Sequence, residues 1–209
     1  MEVWKFDHLA VHQDPFVAFH AARHSSPTID LSSGHDTFLE SVRARSKNLI
    51  AQVARRRRKL AREVGPVTTS WESAGADEFA ALVRWKSDQY RRTGTWDRFE
   101  HRWIRDVLTE LLRCKSAGCS ALMATTHAGD RLAAVHLGLL GHTGLSWWFP
   151  AYDPDLRQYS PGLVMLLDLA AQAPERGVRT IDLGRGEHDY KLRVATGAYE
   201  LAEGEVPAA

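Results

Sequence analysis

Cysteine is scarce in this 209-residue chain, and its two cysteines, Cys114 and Cys119, are too few and wrongly spaced for a zinc cage. They read as free thiols of a reducing compartment. An excess of one charge is also missing. The 27 Lys and Arg against 26 Asp and Glu give a formal net charge of +1, which argues against DNA binding by bulk electrostatics. No apolar run can span a bilayer, the longest lying around Leu163–Leu169, and the N-terminus MEVWKFDHLA lacks the basic-then-apolar order of a signal peptide. Repeats and low-complexity tracts are absent. These absences leave a soluble, cytoplasmic protein with no metal and no integral membrane segment expected. A hydrophobic content of 44% suffices for a core of its own.

The first thirty residues have mixed patterning with Pro interruptions, which suits loops and short strands. A helix is expected from Asp36 to about Ser46, and a second from Ser46 to Glu63, where Leu49, Val53, Leu60 and Val64 recur at helical intervals before Gly65-Pro66. Arg55–Arg58 fall mostly on its solvent side, either as a solvated face or as a contact for an anionic partner. VTTSW is a short β-rich run. ADEFAALVRWKSDQYRRTG reads as a helix with Phe79, Leu82, Val83, Lys86 and Tyr90 on one face, and WDRFEHRWIRDVLTELLRCKSAG as another, closed by Gly118. Three hairpin-linked strands follow: CSALMATTH, RLAAVHLGLL and LSWWFPAY. A helix from Pro161 to about Ala173, a buried strand RTIDLG and a short helix or turn EHDYKLRVATG complete the order. Antiparallel strands followed by a strand–helix–strand crossover imply an α+β fold, a mixed and mostly antiparallel sheet with helices on both faces.

Several residues offer chemistry. Ser160-Pro161-Gly162 opens the apolar helix; Ser160 suits the N-cap and Pro161 the first helical position, with or without an anion at the N-terminus. Asp182 follows the buried strand, at the edge where open sheets place ligands, and Gly184 and Gly186 permit a tight turn beyond it. Alternation sets His136 opposite Ala133, Val135, Leu137 and Leu139, so it either looks into a cleft or is structural. Trp147 and Trp148 should face opposite sides of one strand; the outward ring packs under the N-terminal segment or stacks on a sugar. Asp153 is a turn-maker or an acceptor contact.

WKSDQYRRTG, AYDPDLRQYSPG and GVRTIDLGRGEHDYK carry a resemblance to the GNAT acyltransferase superfamily. More narrowly, the chain resembles the CelD-type acetyltransferases associated with cellulose and exopolysaccharide, whose relatives are the Fem-type aminoacyltransferases. The resemblance covers residues 65–197, about two thirds of the chain. It implies an acyltransferase domain over 65–209 that could lack its last strands, preceded over 1–64 by a partial helical N-terminal lobe ending in the Arg-rich helix. The chain would be shortened at both ends, or an oligomer or partner chain would complete the sheet.

What the resemblance implies chemically is N-acyl transfer from acetyl-CoA as co-substrate to an amine of a sugar or cell-envelope precursor. The pyrophosphate loop of such enzymes follows a Q/R-x-x-G-x-G/A pattern. Here the matching place reads QYSPGL, which would put Gln158, Tyr159, Ser160, Gly162 and Leu163 on coenzyme A, although only Gln158 and one glycine of the pattern are present. Tyr190 resembles the tyrosine that protonates the departing thiolate. Lys191 would stabilise an oxyanion or phosphate, and Glu187 leads His136, His188 and Asp153 as candidate base. Trp148, Tyr152, Asp153 and Asp182 are the candidate acceptor contacts. The alternatives are Fem-like transfer from aminoacyl-tRNA, with Arg55–Arg58 on phosphates, and a catalytically inactive GNAT-like binding module.

Overall fold

The computed structural model describes residues 3–72, 75–116, 118–186 and 188–207. The chain opens with two long strands, β1 (Val3–Ala10) and β2 (His20–Asp30), then the helices α1 (His35–Arg45) and α2 (Leu49–Glu63). The short strand β3 (Val67–Ser70) leads to α3 (Ala76–Thr93), which Gly94 closes in the left-handed conformation (φ 66°) that its missing side chain permits. A 3-10 turn at Arg98–Glu100 separates α3 from α4 (Arg102–Arg113). The Asp97 carboxylate builds that turn, accepting from Phe99 N and Ser87 Oγ. The helix therefore starts at Arg102 rather than at Trp96, and Gly118 turns a hairpin instead of ending α4.

The strand β4 (Lys115–Ser116) pairs with β5 (Cys119–Ala128), and β6 (Arg131–Gly141) and β7 (Gly144–Tyr152) continue the meander. Helix α5 (Pro161–Gln172) crosses to β8 (Thr180–Asp182), and the six-residue α6 (Asp189–Val194) precedes β9 (Gly197–Pro207). One sheet in the order β1-β9-β2-β8-β7-β6-β5-β3, with β4 beside β5, contains the nine strands of the described residues. Every pairing is antiparallel except β7 with β8.

Helices cover the middle of this sheet on both faces. On one side α1, α2 and α5 pack Phe38, Val42, Leu60, Val164 and Leu166 against Leu145, Trp147 and Ile181. On the other, α3 and α4 pack Leu82 and Leu108 against Val135, Leu137 and Phe149. The mixed fold with helices on both faces is therefore as the element order implied. Strands β1, β2 and β9 differ from the expectation of loops, short strands and a domain ending near α6. Burial along them follows no alternation (Phe6 is the one buried residue of β1, four successive residues, Ser26–Ile29, are buried in β2, and Leu201 and Ala202 are buried side by side in β9), so periodicity gives no signal and pairing decides. Among the described residues no helix is long and apolar enough to cross a membrane.

A candidate active site where two parallel strands part

Strands β7 and β8 run side by side for three residues only, Gly144–Ser146 against Thr180–Asp182. β7 then continues to Tyr152 while β8 ends, so a gap opens beyond Ser146. Within that gap the register between β6 and β7 slips: Leu137 faces Phe149, but Leu139 faces Ser146. Trp147 and Trp148 are thus set against Gly138 alone, a bulge that leaves both without a strand partner among the described pairings. Gly138 is required there. A Cβ at 138 would lie 2.1 Å from the Ser146 carbonyl oxygen and 2.5 Å from His136 Cε1.

The bulge switches the facing of β7, with Leu145 and Trp147 in one core and Phe149 and Ala151 in the other. Trp148 is turned out and stacks on Phe149 at 4.6 Å. His136 does not open onto a cleft. Because helices cover both faces of the sheet, the side opposite Val135 and Leu137 is itself interior, and the His136 imidazole is fully buried against Trp147, ring centroids 4.0 Å apart. Burial, outweighing the nearby Ser146 backbone, pushes its pKa down to about 3, and neither ring nitrogen has a well-formed hydrogen bond among the described residues. Enclosed on both sides, this imidazole has no open path to a substrate proton.

The folded-state pKa of His136 lies below its unfolded value. It thus costs the fold nothing above about pH 6.5 and an increasing amount as pH falls toward 3, up to about 1.4 kcal/mol per pH unit. His136→Phe is expected to flatten the acid limb of stability over that window, measured by urea unfolding at a series of pH values.

The start of α5 borders the same gap. Ser160 adopts the left-handed conformation (φ 52°), an uncommon choice for a residue with a side chain. Its hydroxyl does not cap the helix as expected; instead it accepts from Arg56 Nη1 at 2.7 Å. The Leu163 and Val164 amides both return to the Ser160 carbonyl, and Pro161 has none. Gly162 therefore supplies the first-turn N–H free for a ligand, with the Arg56 guanidinium beside it. A Cβ at 162 would have open space apart from Tyr152 Cδ1 at 3.6 Å.

The other loop candidates are distributed unevenly. Gln158 is exposed, and Leu163 is half-buried against the core. The buried Tyr159 donates its hydroxyl to Glu63 Oε2 at 2.8 Å and lies under Lys59, which commits it to docking α2. Asp153 is likewise occupied. It caps the following turn through Asp155 N at 2.9 Å and pairs with Arg131 at 2.7 Å, which is the turn-making alternative.

Sequence reasoning set Arg55–Arg58 mostly on the solvent side, but Arg56 and Arg57 turn inward, the latter bonded to Asp168 and to the Val67 carbonyl. The signal was present: both fall between Val53 and Leu60 on the buried stripe of α2, whereas Arg55 and Arg58 are exposed.

On the far side of the gap, Asp182 is enclosed by donors. Ser26 Oγ (2.6 Å) and the Gly184 amide (2.9 Å) reach Oδ1, and the Tyr199 hydroxyl donates to Oδ2. Lys191 folds the loop over it, donating from Nζ to the Gly184 and Arg185 carbonyls at 2.9 Å each. Burial lowers the Lys191 pKa and Asp182 opposes that. Tyr190 sits beside the Trp147 indole, so its hydroxyl reaches the bulge; burial raises its pKa, keeping the proton on oxygen. Glu187 lies outside the described residues. Among those that are described, no three His, Cys, Asp or Glu side chains gather as metal ligands. The structure brings together Tyr190, Lys191 and Asp182 on one side of the gap and Ser160, Gly162 and Tyr152 on the other.

A family model for the acetyltransferase (GNAT) domain matches residues 47–192, well over half of the sequence. The chain belongs to the GNAT family. Among curated proteins none matches in sequence. In structure this GNAT domain is similar to FemX (TM-score 0.60, 12% identity, covering 87% of this chain and 60% of FemX). It is also similar to L-PGS from Bacillus licheniformis (TM-score 0.60, 12% identity, 97% and 67%). A third likeness is to the C-terminal domain of a lysylphosphatidylglycerol synthetase, described as putative, from Agrobacterium fabrum (TM-score 0.59, 11% identity, 95% and 67%). At these identities the likeness is one of fold. The chain spans about 60% of the length of FemX.

Proposed function

We propose that this GNAT domain is an N-acyltransferase of the CelD type. Acetyl-CoA would donate, and the amine of a sugar or cell-envelope precursor would accept. The observation that carries the reading is the parted β7–β8 pair, with a bulge on one wall, the free Gly162 amide at one end and the Tyr190 hydroxyl at the other.

Each part has a chemical use. Gly162 N–H and Arg56 would hold pyrophosphate oxygens at the start of α5, where the helix end adds about half a positive charge. The unpaired backbone at Trp147 and Trp148 offers amide donors for a thioester carbonyl. As the amine nitrogen bonds to the carbonyl carbon and the C–S bond breaks, Tyr190 would give its proton to the departing thiolate, and the proton lost by the amine restores the balance through solvent. Tyr190 suits an acid because burial holds it protonated. Lys191 would act through the loop carbonyls it binds. Trp148 and Tyr152, both exposed on β7, would contact the bound molecules.

Tyr190→Phe is expected to lower kcat for coenzyme A release by about 10²-fold with little change in the KM for acetyl-CoA. A thiol-trapping assay over a panel of amino sugars measures it; an unchanged kcat would remove Tyr190 from the mechanism. The likeness to FemX and the exposed Arg55 and Arg58 favour one other reading, aminoacyl transfer from charged tRNA. Salt-dependent binding of aminoacyl-tRNA, with no response to acetyl-CoA, would select it. Silence toward both donors would select an inactive binding module.

A further inference from the structure

The loop from β8 to α6 is tied to β9, from which β2 separates β8 in the sheet. Gly184 (φ 75°) and Gly186 (φ 110°) both hold left-handed backbone, so the turn has little stiffness of its own. Arg185, which they flank, donates from Nη1 to Glu203 Oε2 at 2.7 Å, and His24 Nε2 of β2 lies 3.0 Å from the same oxygen. Arg185 also takes part through its main chain. Its carbonyl and that of Gly184 each accept from Lys191 Nζ at 2.9 Å. A path of direct contacts therefore runs from Glu203 through Arg185 to Lys191, the residue after Tyr190.

That path matters because α6 cannot hold itself. Its six residues close too few internal hydrogen bonds for a helix to stand alone. The C-terminal end is fixed by the buried Val194 and by Arg45, which donates to the Ala195 carbonyl at 2.6 Å. The N-terminal end, where Tyr190 lies, is anchored by Lys191, 6% exposed, on the loop. The Arg185 and Glu203 side chains are 32% and 36% exposed, so their ion pair adds little to global stability. Its consequence is where the loop sits.

We propose that Glu203 is a positioning residue for Tyr190: through Arg185 it fixes the loop on which Lys191 rests, and so sets the Tyr190 hydroxyl at the bulge of β7. This rests on the acyl-transfer reading for the use of that hydroxyl, and on the contacts alone for the tether. Glu203 acts through Arg185 and not on the reacting atoms.

Two measurements on the full chain test it. The first is hydrogen exchange of the Gly184 and Lys191 amides, which are bonded to Asp182 Oδ1 and to the His188 carbonyl. Glu203→Ala and Arg185→Ala should each speed that exchange at least about tenfold, and the double variant no further, with the melting temperature nearly unchanged. Glu203→Gln keeps an acceptor for Arg185 and should speed it less. The second measurement is the kinetics of coenzyme A release. A displacement of about 1 Å at a reacting group costs about 10²-fold, so a partial one in Glu203→Ala should lower kcat about tenfold with the KM for acetyl-CoA unchanged. Made in the Tyr190→Phe background, the same substitution should change kcat by less than about twofold. Unaltered exchange in Glu203→Ala overturns the tether, and a full tenfold loss in Tyr190→Phe overturns its route through Tyr190. A parent that releases no coenzyme A with any acceptor removes the acyl-transfer reading, and the exchange rates then still decide the tether.

Discussion

Gly162→Asp is expected to abolish acetyl-CoA binding in a protein that folds as well as its parent. The two halves of that outcome have different causes. A side chain at 162 meets only Tyr152 Cδ1, at 3.6 Å, so sterics do not oppose the change. A carboxylate in the first turn is also favourable to the helix, by about 0.3–1 kcal/mol. Stability should therefore hold or rise slightly. The same carboxylate would face pyrophosphate oxygens and would recruit Arg56, now bonded to Ser160, away from them. Two like charges about 4 Å apart cost about 4 kcal/mol near a protein surface, or about 10³-fold in Kd. Gly162→Ala separates sterics from charge and should bind within a few-fold of the parent. A melting curve and a titration on both variants measure the pair of effects. Gly162→Asp binding as tightly as the parent would move the pyrophosphate away from α5.

The largest loss of stability is expected at Asp182→Ala. Three donors converge on that carboxylate, and one of them, Ser26 Oγ, belongs to a fully buried residue. Hydrogen bonds to a charged acceptor contribute about 1.5–3 kcal/mol each, and the orphaned donors then carry their own cost. Removal also strips Lys191 of its neighbouring negative charge. A loss of about 3–5 kcal/mol is expected, a large part of the usual 5–15 kcal/mol of a domain. Asp182→Asn keeps one acceptor oxygen for Ser26 and Gly184 and should lose less. The Tyr199 hydroxyl gives the same network a pH limit. Its folded pKa is raised by burial and by Asp182, so its contribution is complete below about pH 10 and fades above that. Urea unfolding of the Asp182 variants at neutral pH, with Tyr199→Phe followed into alkali, reads both effects.

Local chemistry made one part of this site legible in the sequence. Pro161 at the first helical position fixed the start of α5, and DLGRG marked the exit from β8 as a tight turn, where Gly184 and Gly186 indeed have positive φ. Alternation set Trp147 and Trp148 on opposite sides without saying which faces in, and the structure buries Trp147 and exposes Trp148. For His136 the structural alternative holds over the cleft, for a tertiary reason. Being opposite an apolar face implies exposure only when the other face is solvated, and here α5 covers it. Asp182 looked like a ligand contact because its partners, Ser26 and Tyr199, lie on strands that only the fold brings alongside.

The most direct test of the central claim is calorimetric titration of the unaltered protein with acetyl-CoA, in parallel with acetyl-pantetheine, which carries the thioester without the pyrophosphate. Saturable 1:1 binding of acetyl-CoA, with acetyl-pantetheine weaker by about 10²-fold or more, is the expected result, since a helix N-terminus and Arg56 recognise the pyrophosphate. No heat of binding at millimolar acetyl-CoA, or equal affinity for the two thioesters, would contradict it.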